Sequence, residues 1–351
     1  MNMTFGAAHG AGLRGGACNW QENEHMNMTY SNRASGLGRL LLVLILVVMS
    51  LGACSEEPQA PLRVGTNTWP GYEPAYLARE KGYFGEADVL LSEFGSATQT
   101  LRAFRNGTIE VAALTLDEVM PLIQDGIDLK IFLVADISNG GDVILARPDI
   151  ESVADLKGHK IGVESGALGA YVLARALEVH GIPVDQVEPV YMLINESEQA
   201  FSAGTVDALV TFEPYRSRLL RTGALEIFSS REIPNEIVDV LVVRTEYAVA
   251  NPEKLIAFSQ AWLKAATFIV EQPQQAATII GKRHGLSREE TLKSMEGLTF
   301  PDARINAQML AKGADNSLAV AARKLISVMF EHNLLMGRVT VDDALTDAYI
   351  R

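Results

Sequence analysis

The chain has 351 residues, a formal net charge of -13, 48% hydrophobic residues and 21% charged residues. This is the composition of a globular protein, and it excludes a wholly disordered chain. The acidic balance argues against a nucleic-acid partner, which needs a basic surface. The length is sufficient for two lobes with ordinary hydrophobic cores.

The N-terminal part carries the pattern of an export signal. Residues 40–50 form a continuous apolar run, and Arg33 and Arg39 precede it. The run is too short for a spanning helix, which needs about 20 apolar residues. A basic segment followed by a short apolar run is typical of a signal peptide. Because signal peptides run to about 30 residues, we interpret the start of the chain as overextended, with Met26 or Met28 giving an ordinary length.

The residues after the apolar run, Leu-Gly-Ala at 51–53 and then Cys54, resemble a bacterial lipobox. In that motif the cysteine receives the lipid and becomes the first mature residue. The alternative is a plain signal peptide followed by an incidental cysteine. We therefore predict a signal peptide over 1–53, a lipidated tether over 54–61 and a location on the periplasmic side of a bacterial membrane. Ser55 favours sorting to the outer membrane in a Gram-negative host.

From residue 62 onward, strand and helix patterns alternate. Strands are predicted over 62–66, 88–93, 110–114 and 130–137, with helices over 74–81, from Ser96 to 105, and after Thr115. Pro74 suits a first helical position, and Asn106-Gly107 suits a helix end. Such repetition is typical of a mostly parallel sheet covered on both faces, so the fold class is α/β.

An irregular stretch at 138–142 interrupts this series, and a second one covers 229–236. Between them the sequence predicts strands over 142–146, 160–163, 188–193, 208–211 and 225–228, and helices over 167–180 and 196–203. A strand over 237–243 follows, and the remainder is nearly all helical, with helices from 252 and over 273–283, 288–296 and 318–331. A segment bounded by two such irregular stretches indicates an inserted lobe, with the chain crossing between lobes at each stretch. Two crossings side by side can act as a hinge.

Four stretches carry a family resemblance. Residues 63–84, 107–116, 156–166 and 204–214, in this order, resemble the solute-binding proteins for nitrate, taurine, aliphatic sulfonates and thiamine pyrimidine precursors, over about residues 62–330. The resemblance implies a type II periplasmic binding protein fold, with two lobes joined by a two-strand hinge and a helical C-terminal region. Lobe I would comprise 62–138 and 241–351, and lobe II 142–236. It also implies a small-molecule solute in the cleft and, as partners, an ABC permease with separate ATPase subunits; we expect a monomer.

Ligands of α/β sheets bind beyond the carboxyl ends of the strands. The candidate ligand residues therefore lie in the loops that follow residues 66, 114, 163 and 211, and at the hinges. In lobe I the candidates are Asn67, Trp69, Pro70, Gly71, Tyr72, Thr115 and Leu116. In lobe II and at the hinges they are Ser165, Gly166, Ala167, Tyr171, Phe212, Glu213, Asp142 and Asp239.

Each of these candidates has a structural alternative. Trp69 can stack on a ligand or hold a cation, or it can pack on its own lobe. Thr115 and Glu213 can cap helices, and Tyr171 can belong to the core. For Asp142 and Asp239 the alternative is ordinary hydrogen bonding at the hinges.

The charges of these loops bear on the ligand. Arg and Lys are absent from these loops. The acids that lie in or near them are Glu73, Asp117, Asp142, Glu164, Glu213 and Asp239. This favours an amine-bearing, zwitterionic or pyrimidine-like solute, while the sulfonate or nitrate class stays open.

An enzyme is the rival class, because fungal thiamine pyrimidine synthases resemble this family. Their activity needs a cysteine-rich iron motif, whereas the mature chain would keep Cys54 alone. The chain also lacks the Gly-x-Ser-x-Gly, Walker and His-Glu-x-x-His motifs. We therefore predict a protein that is not an enzyme and uses no cofactor and no metal. A protein that presents its solute to a separate receptor remains an alternative.

Overall fold

Two β-sheets organise the part of the chain that a computed structural model describes, residues 60–164, 167–314 and 317–350. The predicted signal peptide, Cys54 and all but the last two residues of the tether lie outside this part. The strands are β1 Leu62–Asn67, β2 Val89–Phe94, β3 Val111–Thr115, β4 Leu129–Ser138, β5 Val143–Ala146, β6 Lys160–Glu164, β7 Glu188–Met192, β8 Ala208–Thr211, β9 Leu225–Ser229, β10 Val238–Arg244 and β11 Leu298–Thr299.

Twelve α-helices accompany these strands in the described residues. They are α1 Glu73–Glu80, α2 Ala97–Arg105, α3 Leu116–Gln124, α4 Ala167–Val179, α5 Ile194–Ala203, α6 Tyr215–Arg221, α7 Thr245–Ala250, α8 Pro252–Glu271, α9 Pro273–His284, α10 Arg288–Met295, α11 Ala303–Leu310 and α12 Leu318–Glu331. Short 3-10 turns cover Pro70–Tyr72, Val153–Leu156, Val184–Gln186 and Ser230–Glu232.

The first sheet has the strand order β11-β4-β10-β3-β1-β2. Strand β1 pairs in parallel with β2 and β3, as the βαβ pattern predicts. Strand β10 lies between β3 and β4 and runs antiparallel to both. The chain leaves the first sheet after β4, forms the second sheet, and returns at the same end of the first sheet. Strand β10 therefore runs in the opposite direction to β4.

The second sheet has the order β7-β6-β8-β5-β9. Strand β6 is parallel to β7 and β8, whereas β5 is antiparallel to β8 and β9. We call the part built on the first sheet the first lobe and the part built on the second sheet the second lobe.

The chain passes between the lobes twice, from β4 to β5 and from β9 to β10. The two crossings are tied together by Ser230, whose Oγ lies 2.9 Å from Ser138 Oγ and accepts a hydrogen bond from the Gly140 N–H at 2.6 Å. These crossings fall in the two irregular stretches of the sequence. Two adjacent linkers of this kind permit hinge motion of one lobe against the other.

Apolar residues bury both faces of the first sheet. One face packs around Phe104 and Met120, and the other around Phe132, Phe258 and Trp262. Along α8, Leu255, Phe258, Trp262 and Ala265 are all buried, as their helical spacing predicts. The second lobe has its own core around Ile161, Val172 and Phe228.

The differences from the sequence interpretation are short elements at the C-terminal side of the first lobe. The two-residue strand β11 and the helix α11 have no counterpart among the predicted elements, because neither carries a run of periodic apolar residues long enough to detect. None of the described helices is long and apolar enough to cross a membrane.

Candidate functional site

The two lobes meet around a small polar cavity at the carboxyl ends of β1, β3, β6 and β8. Its lining residues are Asn67, Trp69, Tyr72, Ala97, Thr115, Glu118, Asp142, Glu164, Leu168, Phe212 and Asp239. The volume is about 20 Å³, which holds about one water molecule. Any larger solute therefore requires the lobes to separate.

Aromatic side chains close this cavity from both lobes. The rings of Trp69 in the first lobe and Phe212 in the second meet edge to face, with centroids 5.4 Å apart and planes at 86°. Phe212 makes a similar contact with Tyr215, at 6.0 Å. Such pairs add stabilisation beyond the burial of their area, so the contact favours the closed arrangement of the lobes.

Hydrogen bonds to acids fix the first-lobe aromatics. The indole Nε1 of Trp69 donates to Asp136 Oδ2 at 3.2 Å, and the hydroxyl of Tyr72 donates to Asp239 Oδ1 at 2.5 Å. Gly71 lies directly between these groups. A Cβ added there would come within 1.8 Å of Asp136 Oδ2 and 2.4 Å of Trp69 Nε1, so only glycine leaves room for the Trp69–Asp136 bond.

Six buried carboxyl groups lie at or beside the cavity, and we call them the acidic cluster: the lining residues Glu118, Asp142, Glu164 and Asp239, and beside them Asp117 and Asp136. The sheet register explains part of this concentration. Asp239 on β10 is paired with Asp136 on β4 and with Thr115 on β3. The polar ends of three neighbouring strands therefore lie side by side at the edge that faces the second lobe.

Burial raises the pKa of these carboxyl groups. Desolvation is the largest cause throughout, and it raises the pKa of Asp117 and of Asp142 to about 7 and that of Asp136 to about 8. The pKa of Glu118 and of Asp239 also lies well above the ordinary value, since repulsion by neighbouring acids adds to desolvation. Asp136 therefore keeps its proton at neutral pH, whereas Asp117 and Asp142 titrate close to it.

Several acceptors of the cavity have no hydrogen-bond partner among the described residues. They include Asn67 Oδ1, Asp142 Oδ2 and Asp239 Oδ2, all of which belong to lining residues. The same holds for Asp136 Oδ1 behind Trp69. No Arg, Lys or His is among the described residues that line the cavity. Unpartnered buried acceptors are rare and costly, so this arrangement suits a ligand that donates hydrogen bonds.

One member of the acidic cluster connects the lobes. Glu164, at the end of β6 in the second lobe, accepts hydrogen bonds through Oε1 from the backbone N–H of Thr98 at 3.2 Å and from its hydroxyl at 3.3 Å. Thr98 lies in the first turn of α2 in the first lobe. Ser96 caps the same helix, and its Oγ accepts from the Gln99 N–H at 3.3 Å.

The structure brings together many of the residues that the sequence singles out. Those that line the cavity are Asn67, Trp69, Tyr72, Thr115, Asp142, Phe212 and Asp239. Pro70 and Gly71 are buried in the turn that follows Trp69, and Leu116 belongs to the core of the first lobe. Ala167 begins α4, while Ser165 and Gly166 lie outside the described residues.

Glu213 and Tyr171 are engaged elsewhere. The Glu213 carboxylate accepts hydrogen bonds from the Ser217 N–H at 3.1 Å and from the Ser217 hydroxyl at 2.9 Å. Glu213 therefore binds the first turn of α6, which corresponds to the helix-capping role and not to ligand contact. The Tyr171 hydroxyl donates to Glu236 Oε2 at 2.8 Å, which places it at the return crossing. Glu73 also points away from the cavity, because its carboxylate binds Arg283 and His284.

Sequence reasoning did not select Ala97, Glu118, Glu164 and Leu168 as ligand residues, although they line the cavity. It also missed Asp136 behind Trp69. An acid within the apolar stretch of β4 is a detectable signal, because a charged residue at a core position needs a partner or a purpose. Within the described residues, no cluster of His, Cys, Asp and Glu has the geometry to hold a metal ion.

Two α/β lobes, connected by paired crossings around a polar cavity, define a solute-binding protein of the periplasmic type. The comparisons with known proteins agree. The chain belongs to the NMT1-like family, whose family model matches residues 55–281.

An aliphatic sulfonates-binding protein of Escherichia coli is 26% identical over 257 residues, which cover 71% of this chain and 79% of that protein. One from Bacillus subtilis is 23% identical over 327 residues, covering 89% and 95%. The structure of the alkanesulfonate-binding protein SsuA from Xanthomonas axonopodis, bound to MOPS, superposes with a TM-score of 0.68 at 20% identity, covering 83% and 99%. The predicted fold class, the family and the assignment as a binding protein and not an enzyme are confirmed.

Proposed function

We propose that this chain captures a small solute bearing a protonated amine in the cleft between its lobes. It then delivers the solute to an ABC permease with separate ATPase subunits. A lipid on Cys54 holds the protein at the periplasmic side of the membrane, so that it stays near that permease. The lipid assignment rests on the signal pattern of the sequence.

The single observation that carries the ligand class is the acidic cluster with its unpartnered acceptors. Ionising a buried carboxyl group without a counter-charge costs several kcal/mol, so these groups hold protons until a cation enters. A protonated amine supplies both a positive charge and up to three N–H donors. These donors match the unpartnered oxygens of the lining residues, which include Asn67 Oδ1, Asp142 Oδ2 and Asp239 Oδ2.

A sulfonate is the second candidate, because the relatives are named for aliphatic sulfonates. A sulfonate needs N–H donors or cationic side chains. Among the described lining residues no side chain is cationic, and four carry carboxyl groups: Glu118, Asp142, Glu164 and Asp239. The charge of the cavity thus favours the amine over the sulfonate.

Calorimetric titration of the full chain tests the proposal. The panel comprises primary amines, zwitterionic amino acids, aminopyrimidines, ethanesulfonate and nitrate. We expect an amine-bearing member to bind with a Kd of about 1 μM or below, near -8 kcal/mol. Affinity is expected to rise between about pH 6 and about pH 8.5, because the carboxyl groups ionise over that range. Tighter binding of ethanesulfonate or nitrate than of every amine would contradict the proposal.

Paired substitutions locate the site. Asp142→Asn removes a lining carboxylate, and we expect it to weaken amine binding by about tenfold to a hundredfold, the size of a charge-assisted hydrogen bond. Asp149→Asn is the matched control, because Asp149 is an exposed acid of the same lobe. Its affinity should equal that of the unmodified protein.

A further inference from the structure

The first turn of α2 in the first lobe is occupied by a carboxyl group of the second lobe, that of Glu164. A helix N-terminus offers free N–H groups and a positive dipole end to negative groups. In α2 the Gln99 N–H is taken by Ser96 Oγ, and the Thr98 N–H is taken by Glu164 Oε1. The Thr98 hydroxyl donates to the same oxygen.

Glu164 also belongs to the cavity, as does Ala97 beside it in α2. The Glu164 residue is 8% exposed, so water scarcely competes for its contacts. An anionic ligand that sought the donors of α2 would have to displace this carboxylate or lie against it. A cationic ligand would meet no such obstacle.

We propose that Glu164 is a specificity-determining residue, which excludes sulfonates and other anions by occupying the N-terminal position of α2 whenever the lobes close. This inference rests on the proposed function and assigns the charge preference of the cleft to one residue. Glu164 acts across the cleft, since its carboxylate and the donors of α2 belong to different lobes. Closure itself therefore brings the excluding charge into place.

The test compares two substitutions and a control in the full chain. Glu164→Ala vacates the position, whereas Glu164→Gln keeps an acceptor for Thr98 but removes the charge. Glu196→Gln is the control, because Glu196 is an exposed acid on α5 of the same lobe. Ethanesulfonate is the probe, and calorimetry in a sulfonate-free buffer gives its affinity.

We expect Glu164→Ala to bind ethanesulfonate at least about tenfold more tightly than the unmodified protein, by the value of one freed hydrogen bond to a charged group. Glu164→Gln should gain less, and Glu196→Gln should gain nothing. A purely structural role would lower all affinities and could not raise one. Circular dichroism and a thermal melt establish that each variant is folded.

The inference is overturned if neither Glu164 variant gains ethanesulfonate affinity while folded. It is equally overturned if the unmodified protein binds ethanesulfonate as tightly as Glu164→Ala does. Failure of the proposed function has a different signature, which is the absence of amine binding by the unmodified protein. Amine binding without a gain of sulfonate affinity would contradict the role of Glu164 alone.

Discussion

At the scale of single residues, the cleft gathers ionisable groups that a hydrophobic core would exclude. Asp136 and Asp239 occupy paired positions on adjacent strands, and each also binds an aromatic residue of the first loop. The aromatics therefore help to hold the acids in place, although they do not neutralise them. A dependence of stability on pH follows from this arrangement.

Burial raises the pKa of Asp136 from 3.8 to about 8. The folded chain thus keeps a proton that the unfolded chain loses above about pH 4. The contribution of this group to the free energy of unfolding is full below that pH and is lost as the pH rises through about 8. Without solute, we expect stability to fall between about pH 5.5 and about pH 8.5. Asp136→Asn should be more stable than the unmodified protein at the upper pH, by at least about 1 kcal/mol.

Urea unfolding followed by circular dichroism at both pH values measures this difference. Asp149→Asn, an exposed substitution, should follow the unmodified protein. The same pH slope for Asp136→Asn and the unmodified protein would show that this carboxyl group does not carry the dependence.

Residues differ in how far the sequence reveals their roles. The sequence reveals Trp69, Asp142 and Asp239 because loops and crossings at strand ends are where ligands bind. It does not reveal Asp136, which lies inside a strand and becomes important through pairing with β10, more than 100 positions away. Glu213 and Tyr171 were ambiguous from local pattern, since the orientation of a side chain depends on the phase of a helix.

At the scale of elements, a side chain completes the buried hydrogen bonds at the edge of β4. Strand β11 pairs with β4 only at Ile137 and Ser138, and further along β4 the described residues add only an isolated bridge between Ile131 and Leu345. Between these two contacts, Asn306 on α11 supplies the hydrogen bonds that a neighbouring strand would make. It accepts from the Val134 N–H at 2.6 Å and donates to the Val134 carbonyl at 3.2 Å.

Asn306→Ala should therefore destabilise the protein by about 2–4 kcal/mol, because it leaves two buried backbone groups of β4 without partners. Chemical denaturation gives the difference in the free energy of unfolding. Gln308→Ala on the same helix is the control, since Gln308 is exposed, and its effect should stay within about 0.5 kcal/mol. Equal effects of the two substitutions would refute the role of Asn306.

The major elements were predictable because their signals are local. Ser96 caps α2 as expected, and Gly204 ends α5 in the left-handed conformation. Helix α11 and strand β11 were not predictable, because their stability comes from docking on β4 and not from their own periodicity. The antiparallel insertion of β10 also required knowledge of where the chain re-enters the first sheet.

At the scale of the whole molecule, the predicted location depends on residues that precede the two lobes. Cys54→Ala removes the predicted lipid acceptor, so we expect the variant to move from the membrane fraction to the soluble fraction while still folding and binding solute. Asp149→Asn, a substitution of an exposed acid, is the control and should stay with the membranes. Fractionation followed by immunoblotting measures both.

Recovery of Cys54→Ala in the membrane fraction would disprove the anchor. It would leave the cleft argument unaffected, because every residue of the acidic cluster lies beyond the tether.

The contact between Trp69 and Phe212 gives the molecule an optical signal of its own. The chain has three tryptophans; Trp20 precedes Cys54, and Trp262 is buried in the first-lobe core at 1% exposure. Trp69 alone of the two described tryptophans touches the opposite lobe. When the lobes part, its indole exchanges an aromatic neighbour for water while Trp262 keeps its surroundings. Intrinsic fluorescence thus reports each opening and closing of the cleft without any added label.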